Sequence, residues 1–324
     1  MDRQLTIWCN AEFPEAVTTD LKSAVGGHRL VFPSQRGSNL TAGAPSEELS
    51  TADIAFGQPD PEQVIASQSL KWVHLTSAGY TRYDRDDLKA ALKARGAALT
   101  NSSSVYDEPC AQHMLAFMLA FARKLPRAFE EQLGQRRWGD ELIRPQTRVL
   151  RGDNVLILGF GAIARRLIEL LAPFNLKITA VRAHPRGDEP VPTYPTSELD
   201  SLLPEADHIV NVLPASPSTD GLLSKERLLS CKQGAIFYNV GRGTTVDQVG
   251  LLWALKGGQL GGAYLDVTEP EPYPPDHPLW TAPNCFITPH IAGGMADEHS
   301  WLVKHFLENL KRFEVGKPLR DRVV

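Results

Sequence analysis

Short apolar runs alternate with amphipathic stretches along the first hundred residues. Stretches such as DDLKAALKARG (86–96) carry apolar residues at helical spacing, whereas the runs between them are only four to six residues long. Apolar runs of this length predict strands, and the amphipathic stretches predict helices. The predicted strands are LTIWC (5–9), HRLVF (28–32), ADIAF (52–56), KWVHLT (71–76) and AALT (97–100). Strands that alternate with helices predict a parallel sheet with helices on its faces.

A second series of apolar runs begins after residue 150. Its predicted strands are NVLILG (154–159), KITAV (177–181), HIVNVL (208–213), AIFYNV (235–240), GAYLDV (262–267) and CFIT (285–288). Runs such as VLIL are apolar throughout, as expected for strands that helices cover on both faces. The pattern therefore predicts an α/β fold with two doubly wound, parallel-sheet domains.

Two further stretches predict helices. ADEHSWLVKHFLENLKRFEVG (296–316) predicts a long amphipathic helix, on which we expect His299 and His305 to face solvent. DEPCAQHMLAFMLAFARKLPRAFEEQL (107–133) predicts a helix that is apolar on every face over two turns, and such a helix must be buried on all sides. Either it is a core helix between the domains, or a second subunit buries part of it, in which case the protein is a homodimer. His74 lies inside an apolar strand and is expected in the core.

The composition narrows the class of protein. The chain has 324 residues, of which 42% are hydrophobic, and a net charge of -4. It has no basic run, so we expect neither nucleic acid nor a membrane surface as a partner. No stretch approaches 18 apolar residues and no apolar signal segment opens the chain, so we expect a cytoplasmic protein. Cys9, Cys110, Cys231 and Cys285 lie far apart, which predicts reduced thiols and no metal site.

The segment NVLILGFGAIARRLIELLAPF predicts a dinucleotide-binding turn. A buried strand leads into a glycine turn and then into a helix, with Gly159 at the turn, Gly161 where backbone approaches a pyrophosphate, and Ala164 where the helix packs closely on the strand. The N-terminus of the helix supplies free N–H groups and a positive dipole for phosphate.

The end of the next predicted strand bears on the choice of cofactor. An NAD site usually has an acidic residue there for the ribose hydroxyls, but this chain reads TAVRAHPRGDEP, with Arg182 in that place and Arg186 after it. A guanidinium binds a 2′-phosphate with two hydrogen bonds, so NADP(H) is predicted as the preferred cofactor, with NAD(H) possible. Asp188 or Glu189 is the alternative ribose ligand.

Three charged residues follow three successive predicted strands. Arg242 follows AIFYNVG, Glu271 follows GAYLDVTEP, and His290 follows CFITP. Ligands of open parallel sheets bind at the carboxyl ends of the strands, so we expect these side chains to converge on one crevice. Beside a dinucleotide, such a set of side chains suits hydride transfer coupled to proton transfer. Arg242 can bind an anionic group, and His290, assisted by the Glu271 carboxylate, can transfer the proton.

Five motifs together resemble one family. LILGFGAIAR, YNVGRGTTVD, LDVTEPEP, HPLW and ITPHIAGG occur in the order found in the D-isomer-specific 2-hydroxyacid dehydrogenases. The resemblance implies that Arg242, Glu271 and His290 are the catalytic residues and that Asp266 lies near the nicotinamide carboxamide. Formate-oxidising relatives carry Gln in place of Glu271, so formate is not the expected substrate.

The resemblance also implies where substrate and cofactor bind. SAGYTRYD (77–84) would be the substrate loop, with the N–H groups of Ala78 and Gly79 offered to the substrate carboxylate. Ser77, Tyr80 and Trp280 are further candidates around the substrate. The candidate cofactor contacts are Gly159, Gly161, Ala162, Ile163, Arg182, Arg186, Leu213, Pro214, Thr219, Val240, Gly241, Asp266 and Gly293. Ala164 and Arg182 depart from the family pattern, as does NSSSVYDEPCAQH (101–113).

The expected organisation is discontinuous. A Rossmann dinucleotide-binding domain (101–290) is inserted in a flavodoxin-like substrate domain (1–100 and 291–324), with the active site in the cleft between them. The expected activity is hydride transfer between NAD(P)H and a small 2-keto acid or D-2-hydroxy acid, of the glyoxylate, hydroxypyruvate or ketogluconate type. Two alternatives remain open at this point: a dinucleotide-sensing, corepressor-like binding protein and a phosphite-type dehydrogenase.

Overall fold

The chain forms two compact units. The computed structural model describes residues 4–37 and 43–324; one unit comprises Met1–Tyr106 with Gly294–Val324, and the other comprises Asp107–Gly293. Among the described residues, none of the helices combines the length and the apolar character that a membrane span requires.

The first unit contains a five-stranded parallel sheet. Its strands are β1 (Thr6–Cys9), β2 (Arg29–Val31), β3 (Ile54–Gly57), β4 (Trp72–Leu75) and β5 (Ala98–Thr100), and its first helices are α1 (Glu15–Ala24), α2 (Pro61–Ala66) and α3 (Asp86–Ala94). The strand order is β2-β1-β3-β4-β5, which is the flavodoxin-like order. Every residue of β3 and β4 is buried, His74 included, because helices cover both faces of the sheet.

The second unit contains a seven-stranded parallel sheet. Its strands are β6 (Asn154–Leu158), β7 (Lys177–Val181), β8 (Thr193–Tyr194), β9 (His208–Asn211), β10 (Ala235–Asn239), β11 (Leu260–Leu265) and β12 (Cys285–Ile287). Its helices are α4 (Ser103–Ala122, which begins in the first unit), α5 (Leu125–Leu133), α6 (Asp140–Ile143), α7 (Ala162–Leu171), α8 (Leu199–Leu202), α9 (Lys225–Ser230) and α10 (Gln248–Lys256). The strand order is β12-β11-β10-β9-β6-β7-β8, so the two doubly wound sheets that the sequence predicts are confirmed.

The predicted helix over 107–133 is wrong as a single element. It consists of α4 and α5, because Lys124 has a left-handed φ of 55° and Pro126 stands in the first turn of α5. Met114 and Met118 are fully buried, whereas Leu115 and Leu119 stay partly exposed within the chain.

The final helix, α11 (Glu298–Glu314), packs on the sheet of the first unit. His305 is 6% exposed and its Nε2 lies 3.2 Å from Asp321, so the expectation that it faces solvent is wrong. Leu302, His305, Phe306 and Asn309 follow the i, i+3, i+4, i+7 spacing of one buried face, and His305 therefore shares the face of its apolar neighbours.

Candidate active site

The three charged residues predicted from the strand ends follow adjacent strands in the sheet. β10, β11 and β12 are neighbours, and Arg242, Glu271 and His290 come after them in that order. His290 Nδ1 lies 2.8 Å from Glu271 Oε2, and both side chains are a little over one third exposed. The Glu271 carboxylate thus contacts one nitrogen of the imidazole and fixes the orientation of the ring.

Asp266 holds the loop that carries His290. Its carboxylate is buried and accepts hydrogen bonds from the N–H groups of Ile291 and Ala292 (both 2.9 Å) and from the hydroxyl of Thr288 (2.6 Å). Its carbonyl accepts the N–H of His290 at 2.8 Å. His290 itself has a φ of 52°, a conformation that non-glycine residues adopt only where the surroundings impose it.

Glu271 is held in its ionised form. Its Oε1 accepts the N–H of Thr268 at 3.1 Å. Burial alone would raise the pKa of this carboxyl, but the hydrogen bonds from His290 and Thr268 and the charges of His290 and Arg242 lower the pKa below its usual range. The carboxylate can therefore stabilise a protonated imidazole beside it.

Arg242 is positioned by a close approach of two backbone segments. A Cβ on Gly243 would overlap the backbone of Thr268, so only glycine lets the segment after β10 lie against the segment that leads to Glu271. The guanidinium donates to the carbonyl of Gly241 at 2.6 Å. Burial lowers the pKa of Arg242, and the charge of Glu271 opposes that effect, so the side chain is a cation in partly apolar surroundings.

The glycine turn after β6 has the shape that the sequence predicts. Gly159 has a φ of 103°, and a Cβ there would press on Val212. Gly161 is the residue before α7, and a Cβ there would meet nothing within 4 Å, so open space lies in front of the helix N-terminus. Ala164 is fully buried where α7 packs on the sheet. Ala162 and Ile163 begin the helix, and their N–H groups are among those that a helix leaves unpaired.

Arg182 is paired within its own loop. Its Nη1 lies 2.9 Å from Glu189 Oε1, and the same carboxylate accepts the N–H groups of Arg186 and Gly187. These donors, the N–H of Arg186 first, lower the pKa of Glu189 to about 2. Glu189 therefore folds the loop and orients Arg182, while Asp188 and the side chain of Arg186 are exposed.

The remaining candidate cofactor residues lie in loops of the second unit. Thr219 ties the loop after β9, since its hydroxyl donates to Pro214 O at 2.6 Å and accepts the N–H of Ser216. Leu213 lies against Gly241, where a Cβ would come within 2.6 Å of the Leu213 carbonyl. Val240 is buried at the end of β10, and Gly293 is half-buried after the His290 loop.

The predicted substrate residues divide between the units. Ser77, Ala78, Gly79 and Tyr80 are half-buried residues of the loop after β4, in the first unit. Trp280, in the second unit, is 43% exposed and donates from its indole nitrogen to Pro274 O at 2.8 Å.

Comparison with known proteins decides the family. The sequence profile of the "D-isomer specific 2-hydroxyacid dehydrogenase, NAD binding domain" matches residues 115–292. A glyoxylate reductase from Thermofilum pendens is 30% identical over 258 residues, which is 78% of this chain and 74% of that protein. The chain belongs to the D-isomer-specific 2-hydroxyacid dehydrogenase family.

Solved structures agree with this family. A D-isomer-specific 2-hydroxyacid dehydrogenase from Xanthobacter autotrophicus, in complex with NADPH and MES, matches at a TM-score of 0.81 and 26% identity and covers 99% of this chain and 98% of its own. An NADPH-dependent glyoxylate/hydroxypyruvate reductase from Sinorhizobium meliloti, in complex with NADP and sulfate, matches at 0.76 and 25% identity, with 99% and 98% coverage. The protein is an NAD(P)-dependent oxidoreductase of the 2-hydroxyacid dehydrogenase class.

One residue near the candidate site of this dehydrogenase escaped the sequence reasoning. His113, on α4, has a buried Nε2 that meets no hydrogen-bonding partner among the described residues, and its ring packs 5.4 Å from that of Tyr264. The Tyr264 hydroxyl bonds to Thr288, which in turn bonds to Asp266. The available signal was a histidine directly before the apolar run 114–122.

One thiol, that of Cys110, lies buried on α4. Burial raises the pKa of Cys110 to about 12, so this thiol is not a nucleophile near neutral pH. Within residues 4–37 and 43–324, no three His, Cys, Asp or Glu side chains are grouped to hold a metal ion.

Proposed function

We propose that this enzyme reduces a small 2-keto acid to the D-2-hydroxy acid and that it prefers NADPH to NADH. The observation that carries the proposal is the pairing of His290 with the ionised Glu271, on strand ends adjacent to the one that carries Arg242. A proton donor, a carboxylate that supports it and a cation are the protein groups that this reduction requires.

Each of the three residues has a distinct role. His290 donates a proton to the substrate's carbonyl oxygen and takes it back in the oxidative direction. Glu271 accepts from Nδ1, which leaves Nε2 to face the substrate and places a negative charge beside the ring. Arg242 binds the carboxylate and the developing alkoxide, because its guanidinium stays charged and bonds in a planar fork.

The second unit fits a dinucleotide. Open space lies before α7, next to Gly159 and Gly161, since a Cβ built on Gly161 would have no protein atom within 4 Å. This space could hold the pyrophosphate. The N–H groups of Ala162 and Ile163 would hold the pyrophosphate, and Leu213, Pro214, Thr219, Val240, Gly241, Asp266 and Gly293 would line the rest of the cofactor site. When bound, the nicotinamide supplies the hydride.

The loop after β7 supports the preference for NADPH. Glu189 uses both of its oxygens on Arg182 and on the N–H groups of Arg186 and Gly187, so it is not available to the ribose hydroxyls. The planar fork of Arg182 retains donors beyond the one that bonds to Glu189, and these suit a 2′-phosphate. Arg186 would add a second cation.

The substrate loop of the proposal is 77–84, with Ser77, Ala78, Gly79 and Tyr80 around the carboxylate and Trp280 as a further pocket residue. Residues 1–100 and 291–324 form the substrate domain, and residues 101–290 form the cofactor domain. The names of the relatives favour substrates of the glyoxylate or hydroxypyruvate type.

We also propose that the enzyme is a homodimer. Large exposed apolar side chains follow one another in the second unit from α5 to the loop before β6, and exposed apolar surface of this kind marks association surfaces. They are Leu125, Phe129, Leu133, Trp138, Leu142 and Val149, of which Trp138 is 92% exposed. We expect a second copy of the chain to cover this surface, because the apolar helix α4 is only partly buried within one chain.

A substrate panel tests the proposed function. Glyoxylate, hydroxypyruvate, 2-ketogluconate, pyruvate and phosphite should be assayed in turn with NADPH or NADP and with NADH or NAD. We expect turnover of at least one 2-keto acid, faster with NADPH. Phosphite oxidation alone would indicate a phosphite dehydrogenase, and cofactor binding without any turnover would indicate a dinucleotide-sensing protein.

A further inference from the structure

Four consecutive carbonyl groups after β4 all accept hydrogen bonds from other parts of the first unit or from their own loop. Thr76 O accepts the hydroxyl of Tyr106 (3.0 Å), and Ser77 O accepts the N–H of Ser102 (3.1 Å). Two more bonds complete the row: Ala78 O with Asn101 Nδ2 (2.7 Å) and Gly79 O with Ser77 Oγ (2.7 Å).

This row of bonds determines where the N–H groups of the loop point. In a planar trans peptide the C=O and the N–H of the next residue are antiparallel, so a carbonyl bonded toward the fold turns that N–H away from it. The N–H groups of Ala78, Gly79 and Tyr80 have no acceptor among the described residues, in agreement with this geometry. Consecutive free N–H groups form a concave site suited to a carboxylate.

Gln58 hydrogen-bonds to the Ser77 hydroxyl, which is the donor of the bond to Gly79 O. Its Nε2 donates to Ser77 Oγ at 3.0 Å, and Ser77 Oγ donates in turn to Gly79 O. Because an amide nitrogen can only donate, the bond from Gln58 leaves the Ser77 proton free to point at Gly79 O. The direction of this two-step chain is therefore set by Gln58.

The backbone of Gln58 is itself fixed. Asn10, at the end of β1, accepts the N–H of Gln58 at 2.8 Å and donates to its carbonyl at 2.9 Å. Both side chains are buried, and the preceding Gly57 has a φ of 130° with Asn10 against its Cβ position. Gln58 Nε2 also donates to Thr76 Oγ1 (3.2 Å), so the amide spans the root of the loop.

We propose that Gln58, acting through the Ser77 hydroxyl, is a positioning residue for the carboxylate-binding loop of this enzyme. The inference rests on the proposed function, in which the loop binds the substrate's carboxylate. Loss of the hydrogen bonds from Gln58 to Ser77 and from Ser77 to Gly79 would free the Gly79–Tyr80 peptide to rotate. The hydrogen bonds that the loop donates to the substrate's carboxylate would then be weaker. The carboxylate is bound alike before and during hydride transfer, so KM for the keto acid should rise while kcat changes little.

Two single variants and their double test these two hydrogen bonds. Gln58→Met keeps length and bulk but removes the donor, and Ser77→Ala removes the hydroxyl that links Gln58 to Gly79. The double variant tests whether the two act in series. Gln63→Met is the matched control, because Gln63 is also a part-buried amide of the first unit with two hydrogen bonds, but it bonds to Ser46 and not to the loop.

We expect KM for glyoxylate to rise about tenfold in each single variant, in line with the loss of one charge-assisted hydrogen bond. The double variant should be no worse than the worse single, because residues that act in series are not additive. Values of kcat and of KM for NADPH should stay within threefold. Gln63→Met should lower the melting temperature without changing KM for glyoxylate. An unchanged KM in Gln58→Met, or effects that multiply in the double variant, would overturn the inference.

Calorimetric titration with oxamate, in the presence of NADPH, separates this inference from the proposed function. If the wild type reduces no keto acid but binds oxamate about tenfold more tightly than Gln58→Met does, the proposed function fails and the positioning role stands. Equal oxamate affinity in the two proteins, or no binding by either, overturns the positioning role.

Discussion

His290 and Glu271 form the pair on which the proposed proton transfer depends. We expect His290→Gln to lower kcat by on the order of 10²–10⁴ and to leave the affinity for NADPH nearly intact, which is the usual size of a general acid–base contribution. Steady-state kinetics and cofactor titration measure the two quantities. His28→Gln is the control, since His28 pairs with Glu314 on the first unit. Turnover of the His290 variant within threefold of wild type would make that residue structural.

The charge of Glu271 leads to a prediction about pH. Burial would raise the pKa of Glu271, but the hydrogen bonds from His290 and Thr268 hold it below its usual range. Keto-acid reduction should therefore fall on the acid side only at a pH below the usual range of a glutamate carboxyl, where Glu271 takes up its proton. Glu271→Gln can still accept the hydrogen bond but carries no charge at any pH, so the variant should be slower and should lack this acid-side fall. A pH–rate profile of wild type and variant measures it, and an acid-side fall that persists unchanged in the variant would contradict the role of the carboxylate.

At the scale of elements, the loop between β7 and β8 carries the proposed preference for NADPH. A charge-assisted bond from Arg182 to the 2′-phosphate contributes roughly 1.5–3 kcal/mol, so kcat/KM should favour NADPH over NADH by about tenfold to a hundredfold. Arg182→Asp should reverse the preference, since it repels the phosphate and offers the ribose hydroxyls an acceptor.

The ratio of kcat/KM for the two cofactors, in wild type and in Arg182→Asp, checks this prediction. Arg151→Asp makes the same charge change at an exposed position before β6 and should leave the ratio unaltered. A wild type that uses NADH as well as NADPH would contradict the role of Arg182. A ratio that moves equally in both variants would indicate a long-range charge effect only.

At the scale of the whole molecule, the exposed apolar segment from α5 to the loop before β6 predicts self-association. Sedimentation at micromolar concentration should show about twice the mass of one chain. Leu133→Asp with Trp138→Asp should give a monomer, because a buried charge without a partner opposes association. Trp253→Asp is the control, since Trp253 is 59% exposed on α10, outside the segment. A monomeric wild type would remove the proposal, and dissociation by Trp253→Asp alone would move the interface to α10.

The features that depend on neighbouring residues were predictable from the sequence. The five strands of the first unit and the six longer strands of the seven-stranded sheet follow from apolar runs, whereas the two-residue β8 is too short to leave such a pattern. The turn at Gly159 and the placement of Arg242, Glu271 and His290 after their strands follow from the same local signals. Short-range spacing carries this information, since it reflects the periods of strand and helix.

Tertiary structure decided what distant segments do to one another. Pro126 is the local signal for the break after α4, but the burial of His305 depends on which face of α11 meets the sheet. The pairing of Arg182 with Glu189 depends on how a loop closes, and the chain from Gln58 through Ser77 joins residues brought together by β3 and β4. Hydrogen bonds have strict geometry, so they form only where the fold brings donor and acceptor together, and spacing along the chain does not record that.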